Sequence, residues 1–477
     1  MRTFKYKKGT SDKFWHIDLK GNRFTVHFGR IGTDGQKQVK TFVNERAAQK
    51  AYERLVTEKL IKGYKEATKP PTPPPPPPSP LRLSLEAALV DNPDDLATHM
   101  AYADYLTDQG DPLGEFVRVQ LALEDESKPK AERDKLKKQE AALLRANAEA
   151  WLGDLAPLVQ TWKKSKQWGD LAVKCTFRRG WLDTLTVGRY TLEFVRLLAK
   201  APQLRLLRTL VLYNNDFEHG EVLPEDGVPS SGCDNPALYP LARSPYLSNV
   251  RMFIVGEVMS DKEEDDFEDG GISCYTQGDG AVEIVKRMAK LEELYLLAHN
   301  IDVEQLFSLR TLDRLRVLML YHAESYPLAR LAKNPSLGNL THLLLHPHAI
   351  DDDPYIREPG VKAVVTSPHL RSLTHLQLRL SDMGDKGVKT IVASGILKRL
   401  QVLDLRHGRV SDEGARLLAA CPDAKNLTRL DLTNNYLTEA GVEMLKRAGV
   451  KVVAKNQWQP TGDEEDDEEY LYAGDFE

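Results

Sequence analysis

The chain has 477 residues, of which 41% are hydrophobic and 28% are charged, with 65 Lys and Arg against 70 Asp and Glu. At roughly 150 residues per domain, this length predicts about three domains with enough apolar content to form cores. The net charge of −5 indicates no polyelectrolyte partner for the chain as a whole.

Residues 1–68 are the first predicted domain. Residues 1–69 contain 17 Lys and Arg against seven Asp and Glu, so this end of the chain is strongly basic. Alternating apolar residues predict strands at 14–19 and 23–28, then a glycine-rich turn and a third strand at 38–43. Asn44 stands where it can cap a helix with a basic outer face. The pattern predicts a small α+β domain, a sheet crossed by one helix.

A short motif in this domain carries a family resemblance. Phe28-Gly29-Arg30-Ile31-Gly32, followed by Gly35-Gln36, resembles the WGR domain, which occurs in poly(ADP-ribose) polymerases and in bacterial proteins. The resemblance implies a nucleic-acid-binding module, whose motif aromatic packs at a DNA end and whose arginine links domains. Phe28 stands where the family has tryptophan. A phenyl ring can still stack on a base or sugar, but the N–H hydrogen-bond donor of the indole is absent. No polymerase catalytic domain is recognised in the rest of the chain.

The candidate nucleic-acid contacts are Phe28, Gly29, Arg30, Lys37 and Lys40. Other lysines could add phosphate contacts to DNA or RNA, namely Lys5, Lys7, Lys8 and Lys13. The alternative is that these lysines only keep a small domain soluble.

A proline run at 69–80 follows and predicts an extended spacer, with a ligand for an SH3-type domain as the alternative. Residues 81–160 show helical periodicity throughout and predict an all-α domain. The segments 102–106 and 110–116 resemble the bacterial repeat-companion domain, which implies neighbouring leucine-rich repeats and no particular chemistry. Asp104, Asp111 and Glu115 could form paired catalytic carboxylates, but helix capping and turn formation explain them more simply.

Residues 170–456 repeat the pattern L-x-x-L-x-L. Clear copies begin at Leu207, Leu291, Leu315, Leu340, Leu373, Leu400 and Leu427, with a looser copy at Leu247-Val250-Met252. The last three copies are 27 residues apart, and Ser411 and Thr438 are placed to cap the helices that follow two of them. The segment is similar to ribonuclease-inhibitor-type leucine-rich repeats, which implies an α/β solenoid that binds proteins on its concave face.

Strand residues that alternate with the buried leucines are expected to line the concave face. The candidate partner-binding residues are Tyr213, Phe253, Tyr295, Met319, Tyr321, Arg379 and Arg406. Their types predict an apolar and aromatic N-terminal part, a charged C-terminal part and the composition of a binding hot spot. The alternative is that an insertion or the helical domain covers the apolar part, which would then have a purely structural role.

Metal binding and catalysis receive little support. His342, His346, His348 and the aspartates at 351–353 are clustered in sequence, but solvated repeat positions explain them better than a metal site. No nucleotide-binding, serine-hydrolase or zinc-protease motif is present. We therefore expect no enzymatic activity, no metal and no cofactor.

The cysteines and the chain ends bear on the compartment. Cys175, Cys233, Cys274 and Cys421 form no C-x-x-C pair, which excludes a disulfide framework and favours a reducing compartment. No signal peptide is recognised, and no apolar run reaches the ~18 residues of a membrane span. Residues 457–477 are an acidic tail that we expect to be disordered. The expectation is a cytoplasmic, monomeric protein without a membrane partner.

The preferred interpretation is a multidomain interaction protein. In it the repeats bind a protein partner of unknown identity and the WGR-like domain adds a nucleic-acid contact. The alternative is a nucleic-acid-associated regulator in which the repeats are structural.

The acidic tail generates a first prediction. Residues 461–477 contain nine acidic residues and no Lys or Arg, so they should compete with phosphates for the basic domain. Deleting them should therefore tighten DNA binding at low salt, as measured by fluorescence anisotropy. An unchanged affinity would contradict the idea.

Overall fold

The computed structural model describes residues 2–8, 11–62, 64–66, 78–156, 173–190, 192–215, 226–229, 235–256, 276–323, 326–347 and 356–459. The chain forms two compact units, Met1–Pro80 and Leu81–Glu477. Several features discussed above lie outside the described residues: most of the proline run, the acidic tail from residue 460, Cys233, Cys274, His348 and residues 351–353. No helix in the described ranges is long and apolar enough to cross a membrane.

The first unit is built on an antiparallel sheet. Its described strands are β1 (Arg2–Lys8), β2 (Ser11–Lys20), β3 (Arg23–Arg30), β4 (Gln36–Thr41) and β5 (Lys65–Glu66), in the spatial order β4-β3-β2-β1-β5. The three predicted strands are present. Two further strands, β1 and β5, are not predicted. The lysines of β1 obscure its alternation of apolar and polar side chains, and β5 has only two residues.

Helix α1 (Glu45–Ile61) covers one face of this sheet. Asn44 accepts a hydrogen bond from the backbone N–H of Ala47 at 2.8 Å, as expected of an N-cap. The buried core contains Phe4, Trp15, Ile17, Phe24, Val26 and Val56. Because side chains alternate along a strand, residues in register with Trp15 face α1 and those between them face the opposite side. We call these two sides the helix face and the open face.

The second unit begins with four helices. They are α2 (Pro80–Asp91), α3 (Leu96–Asp108), α4 (Pro112–Leu123) and α5 (Lys130–Leu152). A buried cluster joins them to the segment that follows, made of Leu89, Tyr102, Leu106 and Leu206. The Gln120 side chain donates a hydrogen bond to the carbonyl of Phe177 and accepts one from the N–H of Gly180, both at 2.8 Å. The helices therefore pack onto the first strands of the sheet described next.

Eleven described strands form the sheet of the second unit, in the order of the sequence. They are β6 (Val173–Arg178), β7 (Trp181–Tyr190), β8 (Thr209–Asn215), β9 (Met252–Val255), β10 (Glu293–Leu297), β11 (Val317–Tyr321), β12 (His342–His346), β13 (His375–Leu378), β14 (Val402–Asp404), β15 (Arg429–Asp431) and β16 (Val452–Val453). β6 and β7 are antiparallel, and every later pair is parallel. Such a sheet needs a crossover connection between consecutive strands.

Helices supply many of these connections. The α-helices are α6 (Leu192–Ala199), α7 (Ala281–Val285), α8 (Val303–Ser308), α9 (Leu328–Ala332), α10 (Glu358–Val365), α11 (Gly384–Ser394), α12 (Asp412–Ala420) and α13 (Glu439–Arg447). Short 3-10 helices lie at Gly153–Leu155, Pro202–Leu206, Pro236–Arg243, Pro335–Asn339, Ile396–Lys398 and Pro422–Asn426. The repeated leucines of strands and helices merge into one continuous core.

The predicted placement of Phe253 on the concave face is wrong. Phe253 pairs with Leu210 and Leu294 and is fully buried in the leucine core. In this repeat the pattern begins at Val250, three residues after Leu247. A shift by an odd number of residues moves every side chain of a strand to the other face.

A chain of carboxylates links consecutive helices near the C-terminus. Asp385 in α11 accepts hydrogen bonds from the backbone N–H and hydroxyl of Ser411, at 2.9 and 2.6 Å, and from the N–H of Gly414 at 2.9 Å. Asp412 in α12 accepts the corresponding pair from Thr438, at 2.9 and 2.6 Å. Ser411 and Thr438 are the N-caps of α12 and α13, as predicted. Each carboxylate thus stabilises the start of the next helix.

A substitution at Gly414 tests the hydrogen bonds that Asp385 accepts from the start of α12. A Cβ there would lie 2.5 Å from Oδ1 of Asp385 and 2.6 Å from Val410, so Gly414→Ala should displace the carboxylate and cost about 1–3 kcal/mol. Urea unfolding followed by circular dichroism measures the loss. Gly338→Ala is the control, because its Cβ would meet nothing closer than 3.9 Å. Equal unfolding midpoints for the two variants would contradict the assignment.

Candidate interaction surfaces

The face of the large sheet opposite the leucine core is the first candidate surface. We call it the second face; it corresponds to the predicted concave face. One row across it contains Val211, Ile254, Tyr295, Met319, Leu344, Gln377, Asp404 and Asp431. Tyr213, Tyr321, Arg379 and Arg406 also belong to this face, since each follows a core leucine by one position. The row changes from apolar to charged along the chain, as the sequence predicts.

The apolar part of the second face is less exposed than predicted. Tyr321 is 1% exposed and Met319 8% exposed, and with Leu297 they form a cluster separate from the leucine core. Tyr295 and Leu344 pack against this cluster and remain half-buried. The predicted exposure of Tyr321 and Met319 is therefore wrong, because neighbouring side chains on this face pack against one another.

The charged part of the second face is an ion-pair network. Asp404 lies 3.3 Å from Arg379 and 2.9 Å from Arg406, while Asp431 lies 2.7 Å from Arg429. Burial raises the pKa of Asp404 to about 7, although Arg379 favours its charged form. Buried ion pairs add little net stability, but they restrict the side chains to one geometry. Arg379 and Arg406 are thus held by their neighbours.

Two histidines stack on the second face between these two parts. The rings of His342 and His375 lie 3.9 Å apart at an angle of 15°. The hydroxyls of Thr341 and Thr374 lie 2.8 and 2.9 Å from the respective Nδ1 atoms. Burial lowers the pKa of both histidines, so both are neutral at pH 7. Across the described ranges, no group of three His, Cys, Asp or Glu side chains is arranged to hold a metal ion.

The N-terminal helices of the second unit contact a different region. Asp94 accepts hydrogen bonds from Arg208 and Arg251, at 2.5 and 2.6 Å, where β8 and β9 begin. Against the effect of burial, these hydrogen bonds lower the pKa of Asp94 to about 2. Lys290, which precedes β10, donates to the carbonyl of Asp91 at 3.0 Å. These contacts lie at the N-terminal ends of the strands. They therefore give no support to the alternative that the helices cover the second face.

The candidate catalytic carboxylates Asp104, Asp111 and Glu115 have structural partners. Asp111 caps α4 by accepting a hydrogen bond from the N–H of Leu113 at 3.0 Å. Asp104 pairs with Arg118 at 2.6 Å, and Glu115 accepts from Gln139 at 2.6 Å. Asp111 therefore follows the capping explanation, whereas Asp104 and Glu115 form contacts between helices.

The first unit provides the second candidate surface, but the predicted residues do not share one face. Phe28 and Arg30 lie on the helix face, in register with Trp15, and Lys40 lies there too. Lys37 lies on the open face. Phe28 is half-buried and packs against the core of the unit. The motif aromatic therefore has a packing role in this chain.

The glycines of the motif allow a close contact beneath the turn. A Cβ on Gly29 would lie 2.6 Å from Cα of Gly35, and one on Gly35 would lie 2.5 Å from the ring of Phe14. Gly35 also has φ +65°, a conformation that side chains disfavour. Nε2 of His27 lies 2.7 Å from the carbonyl oxygen of Asp34. The turn is thereby packed onto Phe14.

The open face carries an aromatic cluster that is not among the predicted site residues. Phe14 lies 5.0 Å from both His16 and His27, and the two histidine rings are 5.6 Å apart. Exposed lysines of the same face surround it, namely Lys5, Lys7, Lys37 and Lys65. The signal was available, because residues 14 and 16 alternate with the core residues of β2. The lysines beside the rings, by contrast, are identified only by the pairing of β1 with β2.

Two solved structures show distant likenesses to the chain. A structural-genomics crystal structure of a protein from Bacteroides fragilis covers 96% of this chain and 97% of its own, with a TM-score of 0.38 and 15% identity. An internalin, InlF, from Listeria monocytogenes covers 61% of this chain and 85% of its own, with a TM-score of 0.28 and 14% identity. Neither likeness supports a conclusion at these scores.

Two curated proteins of Escherichia coli K12 are similar to the first unit. Protein YehF is 42% identical over 69 residues, and the uncharacterized protein YfeS is 38% identical over 68 residues. Each alignment covers 14% of this chain, and 25% and 28% of the respective relative. The chain thus spans about a quarter of the length of these curated relatives.

Family comparisons match both ends of the described fold. The WGR domain family matches residues 1–71, and a leucine-rich repeat family matches residues 369–392, 399–419 and 424–446. The chain therefore carries an N-terminal WGR domain and, within residues 369–446, leucine-rich repeats.

Proposed function

We propose that this protein is a non-enzymatic, monomeric scaffold that binds a protein partner on the second face. The observation that carries the proposal is a partly accessible strip on that face, apolar except for Glu293, which accepts a hydrogen bond from Tyr295 at 2.9 Å. Its half-buried members are Met252, Ile254, Tyr295, Val317 and Leu344. Apolar and aromatic side chains grouped on a rigid surface are typical of a binding site.

The surroundings of this strip favour binding without rearrangement. On one side, Tyr321 and Met319 are already packed. Along the chain, the network around Asp404 restricts the arginines. A partner would therefore meet a preorganised surface, and ordering side chains would cost little on binding.

We further propose that the repeats extend through residues 170–456 as a solenoid and that residues 81–160 are a repeat-companion domain. The order of β7 to β16 and the continuous leucine core support the first statement. The four helices α2–α5 and their contacts at the strand entrances support the second.

Tyr295 and Leu344 test the protein-binding proposal. Replacing both by Ala should remove two large apolar side chains from the strip and weaken partner binding at least about tenfold. Crosslinking and affinity capture from the native host, with quantification by mass spectrometry, compares the variant with the parent chain. Met444→Ala is the matched control, because Met444 is an exposed apolar residue on α13 (37% exposed). Equal capture by all three proteins would contradict the proposal.

A second function, a nucleic-acid contact through the WGR domain, is favoured by the exposed lysines around its open face. In the alternative interpretation this contact is the main function and the repeats are structural. Capture of the same partner after nuclease treatment favours the scaffold, whereas its loss favours the regulator.

Salt dependence tests the nucleic-acid contact. If about four lysines neutralise phosphates, affinity for a DNA oligonucleotide should fall more than about tenfold between 50 and 200 mM salt. Fluorescence anisotropy with the full chain measures this, and the unit Leu81–Glu477 serves as the control that should not bind. No binding by the full chain at low salt would refute the contact.

A further inference from the structure

We propose that the open face of the WGR domain is a stacking platform for single-stranded nucleic acid. The inference rests on the nucleic-acid contact proposed above and assigns it to a face, a chemistry and a strand state. It also shifts the contact away from Phe28, which packs into the core.

The aromatic part of the platform lies at the centre of the sheet and is half-buried, with the edge of the Phe14 ring beneath the turn at Gly35. Phe14, His16 and His27 lie on the adjacent strands β2 and β3, with ring centroids 5.0 to 5.6 Å apart. All three are half-buried, so each is anchored by the sheet and partly accessible. Burial, and to a lesser degree the neighbouring His27, lowers the pKa of His16. His16 is therefore a neutral ring at pH 7, a state in which it stacks without desolvating a charge.

Cations border the rings on both sides. The register aligns Lys37 of β4 with His27 and His16, and aligns Phe14 with Lys5 of β1 and then Lys65 of β5. With strands about 4.8 Å apart, the five strands span about 19 Å from edge to edge. Rings in the middle and ammonium groups at the margins match a chain of bases with phosphates on its outside.

This arrangement favours a single strand over a duplex. Within a duplex the bases are stacked on one another, so only the terminal pair presents a face to Phe14 or the histidines. The described helix of this unit, α1, covers the other face, so it is not placed to enter a groove on the open face. An acidic peptide would satisfy the lysines but leave the rings without stacking partners. The aromatic rings therefore decide between these ligands.

The experiment compares three probes on the full-length protein. They are a fluorescent oligothymidylate of about 15 nucleotides, an abasic oligonucleotide of the same length, and a blunt duplex hairpin. Anisotropy at low salt should show the oligothymidylate binding about tenfold more tightly than the abasic strand, since the two carry equal charge and differ only in bases. It should also bind more tightly than the hairpin.

Two charge-reversal variants locate the face. Lys5→Glu with Lys37→Glu changes the open face, and Lys13→Glu with Lys40→Glu makes the same change of charge on the helix face of the same sheet. The first pair should weaken oligothymidylate binding about tenfold, and more than the second pair. Circular dichroism confirms that both variants fold, and the wild-type comparison of probes does not depend on any variant.

The outcomes separate the two proposals. Failure of all three probes to bind would refute the nucleic-acid contact itself. Binding in which the abasic strand or the hairpin equals the oligothymidylate would overturn the stacking platform and leave the contact intact. Equal losses in the two charge variants would overturn the assignment to the open face. Equal competition by polyglutamate of matched charge would show that charge alone governs binding.

Discussion

The second unit depends on the parallel register of its strands. Phe253, Leu294 and Leu318 stand side by side in neighbouring strands and place one row of side chains in the core. Because the side-chain period of a strand is two, this row also determines every residue on the second face. Tyr295 and Asp404 occupy the same row of that face although 109 positions separate them in the chain. A local feature, the spacing of leucines, thus creates a surface drawn from residues far apart in sequence.

The same constraint explains what could be predicted from the sequence. Where the leucine pattern is regular, as around Tyr295 and Arg379, alternation placed the second-face residues correctly. Phe253 was misplaced because Leu247 and Val250 both fit the first position of the pattern, and only pairing with Leu210 distinguishes them. The burial of Tyr321 was unpredictable for another reason. Tyr321 is buried by Met319 of the same strand and by Leu297 of the neighbouring strand. The sequence pattern of one strand carries no information about packing between strands.

In the WGR domain the motif is recognisable from the sequence, but the face of the sheet that carries the exposed rings and lysines is not. The glycines of the motif are explained by the close approach of Gly29, Gly35 and Phe14, a packing requirement that any member with this turn would share. The candidate contacts chosen around the motif divide between two faces of the sheet, since neighbours in sequence point in opposite directions. The surface that combines rings and cations lies on the face without the helix. Finding it required the pairing of β1 with β2.

The links between helices α11, α12 and α13 run in one direction only. Asp385 serves the helix that follows it, and Asp412 serves the next, 27 residues later. A unit of 27 residues therefore carries a carboxylate that accepts hydrogen bonds from the next unit. It also carries an N-cap residue that donates hydrogen bonds to the carboxylate of the previous unit. Adding or removing one whole unit of this kind would keep these acceptors and donors matched, whereas a change of any other length would break the chain that they form. The array can thus lengthen or shorten during evolution in whole steps, and the size of the second face would change with it.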